Sequence, residues 1–131
     1  KDVLVMDDLR DLYQDTILDH NKRPRNFGEL TSANRVAEGN NPLCGDEITI
    51  QLIIDNNNIK EVKFSGQGCA ISQASSSMLT DKIKNMNVEN IKNLNKDDIL
   101  DMLHIPISPG RLKCALLCLD TLKGALENAR N

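Results

Sequence analysis

Tryptophan is absent from this 131-residue sequence, and aromatic residues make up only 2% of it. Leu, Ile, Val and Met must therefore supply most of the packing in any core, and intrinsic fluorescence rests on Tyr13 alone. No run approaches the roughly 18 apolar residues of a membrane span, and no signal-peptide hydrophobic region opens the sequence. Those two absences lead us to expect a cytoplasmic protein with no membrane partner. An excess of positive charge is lacking too: the formal net charge is −3 and the pI is near 5.3, so nothing draws the chain to phosphate backbones, and nucleic acid is not expected as a partner. Internal repeats and long linkers are missing. With 40% hydrophobic residues, a chain of this size is expected to form a single domain, 1–131, around one core.

What is present is a helix, a sheet and more helices. Apolar residues at Leu9, Leu12, Tyr13, Ile17 and Leu18, with acids ahead of them, predict a first helix from about Met6 to Asp19. Residues 21–28 contain Pro24, Gly28 and the charges of Lys22, Arg23 and Arg25. They read as a solvated basic loop, with a docking role as the alternative. Arg35–Gly39 is a short extended segment that runs into an Asn40-Asn41-Pro42 turn. From Asp46 to Asp55, Ile48, Ile50 and Leu52 alternate with Thr49 and Gln51; Asn56-Asn57-Asn58 then turns the chain, and Ile59–Ser65 alternates again. Helices are predicted from Cys69 to about Asn85, Val88 to Asn93, Asp97 to Leu103 and Arg111 to about Arg130. The last has a stripe of Leu112, Ala115, Leu116, Leu119, Leu122 and Leu126. The expected fold class is α+β, a three-stranded antiparallel sheet with one face covered by helices.

Four cysteines in a sequence without a secretion signal point to metal-binding or reactive thiols before disulfides. Cys44, Cys69 and Cys114 stand 25 and 45 residues apart, far beyond the paired spacing of a structural zinc knuckle, so any shared site must be assembled by the fold. In Cys44-Gly45-Asp46 a flexible glycine lets a sulfur and a carboxylate face one point, although the tripeptide is also an ordinary turn. Cys69 follows Gly66-Gln67-Gly68 where a strand meets a helix. Unpaired amides at a helix N-terminus stabilise a thiolate there; a small buried junction residue is the other reading. Cys114 falls off the leucine stripe at about 100° per residue, so it is expected to be the most accessible thiol, with Cys69 deeper. Cys118 lies nearer the stripe and is expected to be buried, with at most a back-up role through its i, i+4 relation to Cys114. Lys113 either lends charge to Cys114 or is simply exposed. His20 reads as a capping or surface residue and His104 as half-buried, neither as a ligand. Three thiolates and one carboxylate suit zinc or iron.

With Cys44-Gly45-Asp46, then Gly66-Gln67-Gly68-Cys69-Ala70-Ile71-Ser72-Gln73-Ala74-Ser75, then Arg111-Leu112-Lys113-Cys114, the sequence resembles the U-type iron-sulfur cluster assembly proteins: IscU, SufU and the N-terminal domain of NifU. The likeness runs nearly end to end, including Leu12-Tyr13, Asp19-His20 and Pro24-Arg25-Asn26. It implies a small α+β domain whose Cys44, Asp46, Cys69 and Cys114 hold a nascent [2Fe-2S] cluster or a zinc ion, with sulfur supplied by a cysteine desulfurase. Lys113 stands where the scaffold branch has His, as in the SufU-like branch, yet the span between Cys69 and Cys114 is too short for the insertion usual there. Ile105-Pro106-Ile107-Ser108-Pro109 departs from the Leu-Pro-Pro-Val-Lys pattern read by a dedicated Hsp70 chaperone, so that partner is not carried over.

The expectation is thus a scaffold for iron-sulfur cluster assembly. It receives sulfur from a desulfurase, holds a transient [2Fe-2S] cluster on Cys44, Asp46, Cys69 and Cys114, and passes it to apo iron-sulfur proteins or carriers. Cys114 is the candidate sulfur acceptor, and zinc occupies the site as purified. A carboxylate in place of a fourth thiolate leaves a position that exchanges, which a donor needs. One alternative is a zinc-dependent sulfur-transfer protein that accepts persulfide sulfur. From another class, a small interaction domain with a structural zinc remains open; its removal would unfold the domain.

Overall fold

A computed structural model describes residues 15–127. Helix α1 (15–22) is followed by strands β1 (Arg35–Asn41), β2 (Asp46–Asp55) and β3 (Asn58–Gln67), then by helices α2 (Ala70–Ile83), α3 (Val88–Lys92), α4 (Lys96–Leu103) and α5 (Pro109–Glu127). Helix α1 runs three residues past the predicted end at Asp19; its predicted start near Met6 lies outside the described residues.

The strands form one antiparallel sheet in the order β1-β2-β3. Period-2 alternation fixes the register: Asp46, Ile48, Ile50 and Leu52 of β2 face inward and are buried, while Glu47 between them is exposed. Ile50 pairs with Ala37 on one side and Phe64 on the other. Asn56 and Asn57 take φ of 52° and 66°, the left-handed pair that a two-residue hairpin demands and asparagine tolerates. Helices α2 and α5 cover the inner face. Ile50, Leu52, Val62, Leu79, Ile83, Leu122 and Leu126 are all at most 1% exposed, each contributing roughly 1.5–3 kcal/mol by burial, so branched aliphatics replace the missing aromatics.

Small residues let α2 and α5 approach closely. Ser75 Oγ donates to the Ala115 carbonyl at 2.7 Å, tying the two helices together, while Ser76 and Thr80 donate back to the carbonyls of Ser72 and Ser76 at 2.9 and 2.7 Å. Buried hydroxyls are thereby satisfied. Helix α4 opens with a capping box, Asn95 and Asp98 bonding each other's backbone amides at 3.2 and 2.8 Å. Its C-cap, His104, is exposed rather than half-buried, with φ of 60°.

Two further expectations need correction. Residues 21–28 are not merely a solvated loop, because the Arg25 amide donates to Ser77 Oγ at 2.8 Å and the Asn26 side chain donates to Thr80 Oγ1 at 3.2 Å. Asn26 and Gly28 also bond the backbone of Phe64 at 2.9 Å each, covering part of the β3 edge. Helix α5 begins at Pro109, since proline fits a first helical turn, and its buried face is turned from the leucine stripe. Cys114, Ala115, Leu117, Cys118, Leu119, Thr121, Leu122, Ala125 and Leu126 are buried, whereas Leu112 and Leu116 are only half-buried. The helix is wedged between the sheet and α2, so its buried face is broad and includes small residues that a leucine stripe overlooks.

Candidate metal centre

The end of the sheet's inner face is where the chemistry collects. Asn41 closes β1 and pairs with Asp46, the first residue of β2. Between them the Asn41 carbonyl accepts from the amides of Cys44 and Gly45 at 3.1 and 2.9 Å. Gly45 takes φ of +72°, a conformation costly for other residues. This tight turn leaves Leu43 83% exposed and Cys44 exposed beside it, while Asp46 is fully buried.

From the other side of the sheet, β3 leads through Gly66-Gln67-Gly68 into α2. A side chain at position 68 would begin 2.8 Å from Asp46 Oδ1, so any residue larger than glycine would force the Asp46 carboxylate to shift. Cys69 is the N-cap of α2, its Sγ accepting from the Ser72 amide at 3.5 Å. The Cys69 amide donates to Asp46 Oδ1 at 2.9 Å. Cys114 enters from the second turn of α5, with its Sγ 3.2 Å from that of Cys44 and 3.7 Å from the donating Nδ2 of Asn41.

The ligand atoms of Cys44, Asp46 and Cys114 lie within 4.8 Å of one another. Cys69, the fourth expected residue, is not within that distance of all three and borders the group through its amide bond to Asp46. All four cysteines are free. Burial, and after it the contacts with Asp46, Cys44 and Cys69, push the Cys114 thiol well above the ordinary range, so a metal or sulfur donor must displace its proton. Cys118 is inside the core and its thiol is pushed up to about 12 by burial, with Ser76 acting in the opposite direction.

Asp46 Oδ2 is buried and has no hydrogen-bond partner among the described residues. A buried carboxylate oxygen in that condition is rare. Within 4.8 Å of two sulfurs, the Asp46 carboxylate has the donor chemistry of a zinc or iron ligand.

The accessibility expected from the leucine stripe is reversed. Cys114 is 1% exposed and therefore not the most accessible thiol; Cys44 is exposed and Cys69 half-exposed. The reason is the turned face of α5, which presses Cys114 against the β1-β2 turn. Lys113 is exposed. His20 is away from the centre, with Nδ1 2.7 Å from Ser77 Oγ. The one member of the site that sequence reasoning passed over is Asn41. An asparagine before proline reads as a turn signal, and only the register shows it buried opposite Asp46.

A family model for the NifU-like N terminal domain matches residues 12–131. The chain is 37% identical over 123 residues to a zinc-dependent sulfurtransferase SufU of Bacillus subtilis, covering 81% of this chain and 83% of that protein. It is 35% identical over 132 residues to an iron-sulfur cluster assembly scaffold protein IscU of Thermotoga maritima, covering 88% and 93%. Among solved structures it is similar to an iron-sulfur cluster assembly scaffold protein for the SUF system from Fervidobacterium islandicum. The TM-score is 0.71 at 33% identity, over 85% of this chain and 93% of that one.

Proposed function

From the premise that this chain belongs to the NifU-like N-terminal domain family, we propose that it is a scaffold on which iron-sulfur clusters are assembled and from which they are passed on. Cys44, Asp46, Cys69 and Cys114 hold the cargo, a transient [2Fe-2S] cluster. The observation that carries this reading is the buried Asp46 carboxylate, grouped with the sulfurs of Cys44 and Cys114 and with an Oδ2 that has no hydrogen-bond partner among the described residues. One hard ligand among soft ones weakens the hold at a single position, and a donor needs such a position.

Sulfur arrives from a cysteine desulfurase as a persulfide. A thiolate of the scaffold attacks the outer sulfur, the donor's S–S bond breaks, and the donor cysteine leaves as thiolate. Cys44 is the exposed entry point, and Cys114, with its sulfur 3.2 Å away, is the inner acceptor. Apo iron-sulfur proteins or carriers take the finished cluster, in the cytoplasm. Among the described residues no helix is long and apolar enough to cross a membrane.

Lys113 beside Cys114 favours a second reading, a zinc-dependent sulfurtransferase, because the SufU-like branch has Lys at this place. Zinc bound to the same residues would then lower thiol pKa values and orient the acceptor. Supplying ferrous iron, cysteine and a desulfurase anaerobically separates the two. The scaffold reading expects a cluster absorption spectrum that moves to an apo-acceptor, whereas zinc with persulfide and no cluster would favour the second.

A further inference from the structure

We propose that Asn41 is a positioning residue of the metal centre, its side-chain amide holding the Cys114 sulfur and tempering that sulfur's strength as a donor. The inference rests on the metal-centre reading above. Asn41 touches both cysteines that arrive from opposite parts of the chain. Its backbone carbonyl fixes the turn that carries Cys44, accepting from the Cys44 and Gly45 amides at 3.1 and 2.9 Å. Its side chain crosses to α5, where Nδ2 donates to Cys114 Sγ at 3.7 Å.

The placement follows from the sheet. Residue 41 pairs with Asp46 and shares its inward face, so an asparagine there is driven into the cluster and not into solvent; it is 6% exposed. A buried amide requires an acceptor, and the Cys114 sulfur, 73 residues away in sequence, accepts from it. Hydrogen bonds to ligating sulfurs withdraw electron density from them, and such outer partners orient ligands and tune metal and cluster properties. Asn41 therefore makes Cys114 a weaker, better-aimed donor than an unbonded thiolate.

The test uses cobaltous ion as the probe, in wild-type protein, Asn41→Ala and Asn41→Leu. Leucine keeps the branched four-atom skeleton of asparagine and fills the site but has no donor, and both variants retain the carbonyl that holds the Cys44 turn. The expected result is a thiolate-to-cobalt charge-transfer band shifted to longer wavelength in both variants, because an electron-rich sulfur gives up its electron more easily. Bands at the wild-type wavelength in both, or a shift in Asn41→Ala alone, would overturn the proposal by showing that the side chain acts through nothing or through packing. A wild-type protein with no thiolate-to-cobalt band at all would instead overturn the metal-centre reading on which the proposal stands.

Discussion

The two oxygens of Asp46 are in different situations. Oδ1 is held by the Cys69 amide at 2.9 Å, while Oδ2 is buried with no hydrogen-bond partner among the described residues, and the carboxylate lies within 4.8 Å of two sulfurs. One oxygen fixes the carboxylate, and under the proposed function the other is the one offered to the cargo. Asp46→Ala should remove the hard ligand and with it easy exchange, so an assembled cluster persists longer and passes to an acceptor more slowly while the fold is retained. Absorption followed during transfer checks this; faster release from the variant would make Asp46 a holding ligand. The cysteines rank by depth. In metal-free protein at limiting reagent, alkylation should label Cys44 first and Cys69 next, with buried Cys114 and Cys118 last. Peptide mass mapping reads the order, and early labelling of Cys118 would contradict the packing described for α5.

At the scale of elements, α1 and the segment after it are pinned by charge. Asp19 accepts from Arg23 and Arg25 at 2.8 and 2.7 Å, and those bonds hold its carboxyl down at about 2, against an ordinary 3.8. A carboxylate with a depressed folded pKa stabilises the fold fully above its unfolded value and loses that contribution as pH falls through the folded one. Wild-type protein should therefore exceed Asp19→Asn in thermal stability above about pH 3.8, and the gap should close as pH falls towards 2. Added salt should shrink the gap as well, because the cluster is solvent-facing. Melting curves across that range check it, and a gap that persisted at pH 2 would show that the ion pairs are not its source.

The elements differ in how much of them is legible from residues alone. Strands β2 and β3 are plain in the alternation of Ile48, Ile50, Leu52, Val62 and Phe64, because a half-buried sheet imposes period 2. Cys44, Asp46 and Cys114 are likewise legible as candidate donors, and the fold brings them within 4.8 Å of one another. Helix α5 is harder, since a helix wedged between sheet and helix buries Cys114, Thr121 and Ala125 as well as leucines. Cys114 was for that reason expected outside and is found inside. Asn41 is invisible without the strand register, which alone sets it opposite Asp46.

For the whole molecule, the main hydrophobic core and the metal centre are adjacent but separable. The core is formed by the sheet, α2 and α5 around residues such as Ile50, Leu79 and Leu122, none of which is a ligand. The centre lies at the end of the sheet, where the β1-β2 turn and the starts of α2 and α5 meet. A domain stabilised in this way should fold without metal, unlike a structural zinc module, whose binding energy is its folding energy. Zinc-loaded protein treated with a chelator, with metal release and far-UV circular dichroism recorded together, tests this most directly. The account predicts that close to one zinc per chain leaves while the helix and sheet signals stay intact. Metal retained until the domain unfolds, or unfolding in step with release, would contradict it.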